Sequence, residues 1–437
     1  AQLGDVLANA PPHQAALQLA DLADAYRQRS QWQLTEEALI ELAERFPNEP
    51  AAIEGMVYLL QMWTSLELGW QREQGVSAEQ NMISVRGDVA QAAVNQTENL
   101  LSQQGGLDRV RELAQNPTSP LLIQPIAGEV RVGGQENQRK FDRRRWHEQA
   151  TLLAGELKRR APAVYQTPEV QFACAALFRQ REMYQESDKI YREFALTADP
   201  AWQQAARGEL WALGSPTESP KPVLICKRVA APPLLDGLLG DACWQSARDI
   251  ELTPPVSERE GEDAAFVGTE RLNTGDGRRA AKGTGAIAML TYDSEYLYFG
   301  ASLPRAEGLP ADAVEYPGRD HDADLAGFDR VSLLLDIDRD YATYYRLDVD
   351  SRGQTRDACW TDQRWNPRWY VANDADSSRW TIEAAIPLKE LAPRAAVGGQ
   401  IWGVGIVRTM PAVGVESWTH PTGSVPRPAT FGLMRMQ

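Results

Sequence analysis

The residue types best suited to act on another molecule gather in the last third of the chain. Trp360, Trp365, Trp369 and Tyr370 fall in a stretch rich in Asp, Arg and Asn, and Trp418 lies in a Gly/Pro-rich segment near the C-terminus. Flat aromatic rings stack on the C–H faces of sugars, while polar groups at the ring edge hold the hydroxyls. Loop tryptophans are costly to leave in water. Trp360, Trp365 and Trp418 are therefore candidates for a ligand face or a partner interface. Arg346, Asp348, Asp357, Asn366 and Arg408 are the candidate polar neighbours. Arg408 reads equally well as a satisfied structural arginine.

Two acidic clusters could hold a cation. Asp320-His321-Asp322-Ala323-Asp324 precedes Asp329, and Asp336-Ile337-Asp338-Arg339-Asp340 ends a strand-like segment. Calcium takes six to eight oxygens, which closely spaced loop aspartates and backbone carbonyls can supply. Asp-rich turns also arise for backbone reasons alone, so both readings stand. Catalytic patterns are not evident. The four histidines, His13, His147, His321 and His420, lack metal-ligand spacing, and no nucleophile elbow or phosphate-binding glycine loop occurs. Paired carboxylates for glycoside hydrolysis stay open, because spacing in sequence does not report their separation in space. The expectation is a protein that is not an enzyme. The four cysteines form no Cys-x-x-Cys pair, which argues against zinc. Cys226 and Cys243 could close a disulfide loop of about 17 residues, or all four could be buried thiols.

These residues need a scaffold. A length of 437 residues predicts two or three domains, and 43% hydrophobic with 24% charged residues is ordinary for globular chains. The formal net charge is −15. The densest basic run, Lys140–Arg145, reads as the solvated start of a helix over Trp146–Arg160, so nucleic acid is not expected as a partner. No apolar run is long enough to span a membrane, and no basic segment leads into an apolar one as in a signal peptide.

Composition changes near residue 214, giving an expected α-helical domain over 1–213, a Pro-rich linker over 214–222, and a β-domain over 223–437. Helices are expected over Pro12–Arg29, Thr35–Phe46, a third from Ile53, then Val170–Arg181, Tyr184–Leu196 and one near Trp202. Val89–Leu101 and Leu107–Gln115 also look helical, with an irregular insertion at about 117–140. Tyr184, Ser187, Tyr191 and Phe194, followed by Asp199-Pro200, resemble the second helix of a degenerate tetratricopeptide repeat, which implies stacked helix pairs that dock protein partners. Beyond 223, strand-like segments fall at Ala286–Thr291, Tyr296–Ala301, Val331–Asp336, Thr343–Val349, Trp369–Asn373, Trp380–Ile386, Trp402–Arg408 and Thr430–Met434. Eight short strands without intervening amphipathic helices predict an antiparallel β-sandwich of jelly-roll type.

Five blocks in one order carry a second resemblance. They are Leu235-Asp236-Gly237 through Trp244, Leu290 through Tyr298, Asp329-Arg330-Val331 through Asp336, Trp380-Thr381-Ile382-Glu383 through Pro387 with Leu391, and Arg408, Ser417-Trp418 and Phe431-Gly432. Together they resemble family 9 carbohydrate-binding modules and their β-sandwich relatives. The resemblance implies glycan binding, often structural calcium, and a periplasmic or extracellular location. It also makes Trp244, Trp380 and Trp402 core residues. Relatives of the fold also serve as interaction domains or bind haem. A structural or assembly protein is therefore the alternative, and a haem protein with Met410 or His420 as axial ligand comes third. The connection Pro254–Gly285 is longer and more polar than the resemblance predicts.

Overall fold

The computed structural model describes residues 11–74, 143–214, 218–254, 285–306, 322–393, 398–419 and 426–437. The helices expected over Val89–Leu101 and Leu107–Gln115, the 117–140 insertion, and nearly all of the Pro254–Gly285 connection lie outside them, as do Asp320, His321 and His420.

Proline sets where the helices begin. α1 (Pro12–Gln28), α3 (Pro50–Thr64), α6 (Pro162–Tyr165), α7 (Pro168–Gln180) and α9 (Pro200–Ala212) all carry it in their first turn, where the missing N–H costs nothing. The Asp199 carboxylate caps α9 by accepting from Ala201 N and Trp202 N. Between these helices run α2 (Trp32–Arg45), α4 (66–74), α5 (Arg143–Arg160) and α8 (Tyr184–Phe194). Among the described residues, no helix is long and apolar enough to cross a membrane.

All eight expected strands form, and four more join them. The strands are β1 (Val223–Arg228), β2 (Ile250–Leu252), β3 (Ala286–Tyr292), β4 (Tyr296–Pro304), β5 (Arg330–Asp336), β6 (Tyr345–Asp350), β7 (Thr355–Cys359), β8 (Tyr370–Ala375), β9 (Arg379–Pro387), β10 (Ile401–Met410), β11 (Gly414–Ser417) and β12 (Gly432–Met436). They pair in the order β7-β6-β5-β10-β12-β1-β3-β4-β9-β8, with β11 on β10 and β2 on β3. The expected purely antiparallel pattern needs correction. β1 runs parallel to β12 through its first four residues and parallel to β3 through its last two. One strand thus passes from one sheet to the other, and the curled sheet is mixed. Between its layers lie Val331, Leu333, Leu335, Leu347, Phe299, Trp380, Ile382 and Val404, all buried, while Trp244 packs with Met289, Tyr298 and Ala385 on the other face of β3, β4 and β9. Two short helices flank it: α10 (Ala242–Ser246), which packs through Cys243 and Trp244 on Met289 and Tyr298, and α11 (Leu388–Leu391), which follows β9 directly.

Residues 11–70 and 145–437 belong to one compact unit, and 71–144 to a second. Within the first, α7, α8 and α9 share a cluster of Phe172, Tyr191, Ala205 and Ala206 with Tyr341 and Ala429 of the β-part. The Phe172 and Tyr341 rings meet edge-on at 5.0 Å. The four cysteines are buried, unbonded thiols, so the Cys226–Cys243 bridge does not form.

Candidate functional site

Two buried clamps hold the sandwich, and they account for the conspicuous sequence blocks. Glu383 of β9 accepts from Asp236 N at 3.0 Å, Gly237 N at 2.8 Å and Trp244 Nε1 at 2.6 Å. Gly237 has φ +84°, and a Cβ there would sit 2.6 Å from the Asn373–Asp374 backbone, so the Asp-Gly turn tolerates nothing larger. Burial lifts the Glu383 carboxyl above its usual range, against the pull of those three donors. The second clamp is Asp329, which accepts two bonds from Arg408 at 3.0 and 2.6 Å and one from Trp380 Nε1 at 3.0 Å. Arg408 also donates to Glu416 and to the Pro304 carbonyl. Arg408 and Asp329 are therefore spent on architecture rather than on a ligand or a cation.

The tryptophan candidates separate. Trp365 is buried and stacks on Tyr345 at 4.5 Å. Trp418 is half-buried and lies so close over Gly432 that a Cβ there would meet its ring at 2.6 Å. Asn366 is exposed. Of these four, Trp360 lines a cleft.

That cleft, about 190 Å³, lies on the outer face of β5, β6 and β7. The strand register builds it. Leu334 stands opposite Arg346, Ser332 opposite Asp348, and Asp348 opposite Arg356, so the alternation that sends Val331, Leu333 and Leu347 inward sends these outward. Tyr344, Arg330, Trp360, Thr361 and Gln363 complete its wall. Arg346 Nε donates to both Asp348 oxygens, at 2.9 and 2.8 Å. Trp360 adopts φ +54°, a conformation costly for a non-glycine residue that persists only where its surroundings dictate it. Here the Trp360 N–H donates to the Tyr344 carbonyl at 2.7 Å, and its ring stacks on Tyr58 of α3 at 4.4 Å. The Tyr58 hydroxyl in turn meets Thr361 at 3.2 Å. Asp357 borders the cleft from the inner side, where it accepts from Trp369 Nε1. Burial pushes its carboxyl up to about 7, aided by the charges of Asp322 and Asp348.

The acidic candidates separate as well. Asp322 and Asp324 are exposed, and Asp324 accepts from Ala326 N as an ordinary turn residue. Asp336 and Asp340 are buried, with Asp338 beside them, and a fourth carboxylate that the sequence did not single out joins them: Glu67 of α4. Carboxylate oxygens of Glu67, Asp338 and Asp340 lie within 4.8 Å of one another. Their other contacts are donors. Glu67 accepts from Ile337 N, and Asp340 from Ala342 N, Thr343 N and the Thr343 hydroxyl. Asp338 accepts from Leu66 N and Gln180 Nε2. Burial first, then mutual repulsion, lifts Glu67 and Asp336 well above the ordinary range and Asp340 to about 8. The oxygen-only donor set, packed this closely, suits a hard cation such as calcium.

The sequence signal for Glu67 was an acid framed by Leu66 and Leu68 at an inward helical position. Arg330, Tyr344 and Arg356 carried only the period-two alternation, which becomes informative once the pairing of β5, β6 and β7 is known.

No family model matches the sequence, and no curated protein matches it. Among solved structures, the chain is similar to a family 9 carbohydrate-binding module from Caldicellulosiruptor kristjanssonii in complex with cellotriose, at 17% identity and a TM-score of 0.32 over 49% of this chain and 94% of that one. It is also similar to a module of that family from the same organism in complex with glucose, at 16% identity and a TM-score of 0.33 over 49% and 96%.

Proposed function

We propose that this chain is a non-catalytic saccharide-binding protein whose ligand sits in the cleft between Tyr344, Trp360 and the Arg346–Asp348–Arg356 row. The observation that carries this reading is the convergence of aromatic walls with planar, pre-oriented polar groups on one rigid strand face. A volume of about 190 Å³ is below the ~300–1,000 Å³ of drug-sized sites. It suits one sugar ring or a chain end rather than a long glycan. The test is a glycan array followed by calorimetry on the hits. Arg346→Ala should weaken binding about tenfold, the effect of losing one charge-assisted contact. Binding unchanged in that variant would remove the cleft from the reading.

Calcium belongs to the same proposal, placed at Glu67, Asp338 and Asp340 rather than at Asp322 or Asp324. Calcium at 100 times its dissociation constant should stabilise the fold by about 2.7 kcal/mol, lost on chelation. The periplasmic or extracellular location follows from the sequence resemblance and is checked by fractionating the source cells.

A second reading is favoured by the rings that stack on Trp360, Tyr58 at 4.4 Å and Trp32 at 6.5 Å. Tyr58 covers a face of Trp360, the ring otherwise best placed for a sugar, so the β-part of an assembly protein would use it for protein contact. The tetratricopeptide-like pairs would then offer Leu17, Leu34, Tyr184 and Leu196, all exposed, to a protein partner. A glycan array without hits, together with a defined complex recovered by size exclusion, would favour this reading.

A further inference from the structure

Among the described residues, the charges that line the cleft do not balance, and the excess selects a class of ligand. Three guanidinium groups line it: Arg330, Arg346 and Arg356. Arg346 is neutralised by Asp348, which gives both oxygens to its Nε. Arg330 donates to a neutral acceptor, the Leu325 carbonyl, at 3.2 Å. Arg356 stands opposite Asp348 in register, yet among the described residues its guanidinium makes no hydrogen bond or ion pair. The remaining acid of the lining, Asp357, lies on the inner side, where it accepts from Trp369 Nε1 rather than from an arginine, and burial pushes its carboxyl up to about 7. Asp322 and Asp324 are exposed outside the lining. A half-buried arginine without a partner, on a strand that fixes its backbone, is an open planar fork of donors. That fork matches a carboxylate bidentately, and its weak hydration favours the exchange.

We infer that the preferred ligand is a carboxylated saccharide, a uronic acid residue whose ring lies against Tyr344 and Trp360 and whose carboxylate is taken by Arg356 with Arg330 beside it. This rests on the saccharide-binding reading and narrows it from sugars in general to acidic ones.

The experiment is isothermal titration of the intact chain with trigalacturonate and with its methyl ester, which keeps the ring geometry and removes the charge. The acid should bind at least about tenfold tighter than the ester, the value of one charge-assisted contact. The preference should shrink as salt is raised from 50 to 500 mM, because exposed charge attraction is screened. In Arg356→Gln the ratio of acid to ester affinity should collapse toward one, with the melting temperature within about 2 °C of the parent, as expected for a substitution away from the core. Equal binding of acid and ester by the intact chain would overturn the inference and leave the saccharide reading standing. Failure of both ligands and of a neutral glycan panel would overturn the saccharide reading itself.

Discussion

Glu209 and Glu67 occupy comparable positions and have opposite electrostatic fates. Each is a fully buried glutamate from the helical part that reaches the turn after β5. Glu209 meets cations: Arg179 at 3.0 Å and Arg339 at 2.7 Å, with the Tyr341 hydroxyl at 2.7 Å. Burial alone would raise its pKa, but the two guanidiniums and their hydrogen bonds outweigh it, and the carboxyl is held below its usual range. Glu67 meets Asp336, Asp338 and Asp340 instead, and repulsion adds to burial. Equal burial therefore says little about what a carboxylate does. Its neighbours decide, and only the unbalanced cluster calls for a proton or a metal ion.

The largest expected effect comes from breaking the balanced side. Glu209→Gln would leave Arg179 and Arg339 without the carboxylate they pair with, Asp338 being the acid that remains near them, and truncating one member of such a buried pair costs about 3–5 kcal/mol. Urea denaturation should show that loss at pH 7, with or without calcium. A loss under about 1 kcal/mol would mean that water reaches both arginines.

The same change on the other side should have the opposite sign. Glu67→Gln removes one of four crowded carboxylates while its Oε1 still accepts from Ile337 N. In chelator at pH 8, the variant should gain on the order of 1 kcal/mol, as buried charges replaced by neutral groups often do. In calcium it should lose the metal-dependent stabilisation. A destabilised variant in chelator would show that the donors around Glu67 outweigh its burial and the repulsion of its neighbours.

pH sharpens the contrast. The Asp340 carboxyl titrates from 3.8 in the unfolded chain to about 8 in the fold. Between those values the fold holds a proton that the unfolded chain has released. In chelator, the cluster's contribution is thus complete below about pH 4, falls as pH rises, and is gone above about pH 8. Glu209 works the other way: its pKa is lowered, so its contribution is present above its unfolded value of 4.5 and lost as pH falls through the folded value. Urea midpoints at pH 6 and pH 9 should differ strongly in chelator and little in saturating calcium, because the ion replaces the proton. Equal midpoints in chelator would mean the acids are neither crowded nor desolvated in solution.

How much of this was legible in the sequence follows a physical line. The eight strands announced themselves because β-branched and aromatic residues alternate between turns. β7 did not, because its inward residues are Thr355, Asp357 and Cys359, which carry little apolar signal. The blocks that stood out, from Leu235-Asp236-Gly237 to Trp380 and Arg408, proved to be the Glu383 and Asp329 clamps. Buried polar contacts restrict residue type most tightly, so sequence patterns report them best. The cleft is built from outward residues on three strands, and its chemistry emerges only from register. Glu67 and Asp340 lie far apart in the chain, and no local pattern can join them.

The smallest effect is the most discriminating for the metal. Asp322 and Asp324 have the same spacing as Asp338 and Asp340, and the sequence alone ranks the two pairs equally. The structure separates them by exposure and by company. Asp324 holds one turn by accepting from Ala326 N at 3.0 Å, and Asp322 sits at φ +57°, where aspartate is among the few residues tolerated. Among the described residues, neither belongs to a group of three acids whose oxygens could share an ion. Asp322→Asn combined with Asp324→Asn should therefore shift the melting temperature by no more than the effect of about 0.5 kcal/mol typical of surface changes. The calcium-dependent shift should survive intact. Asparagine keeps the turn geometry but removes the charge, so the outcome isolates the electrostatic role. If the double variant no longer responds to calcium while Glu67→Gln still does, the ion belongs to the exposed pair. The crowded carboxylates around Glu67 would then have to be neutralised by protons, and the steep fall in stability between pH 6 and pH 9 should persist in calcium.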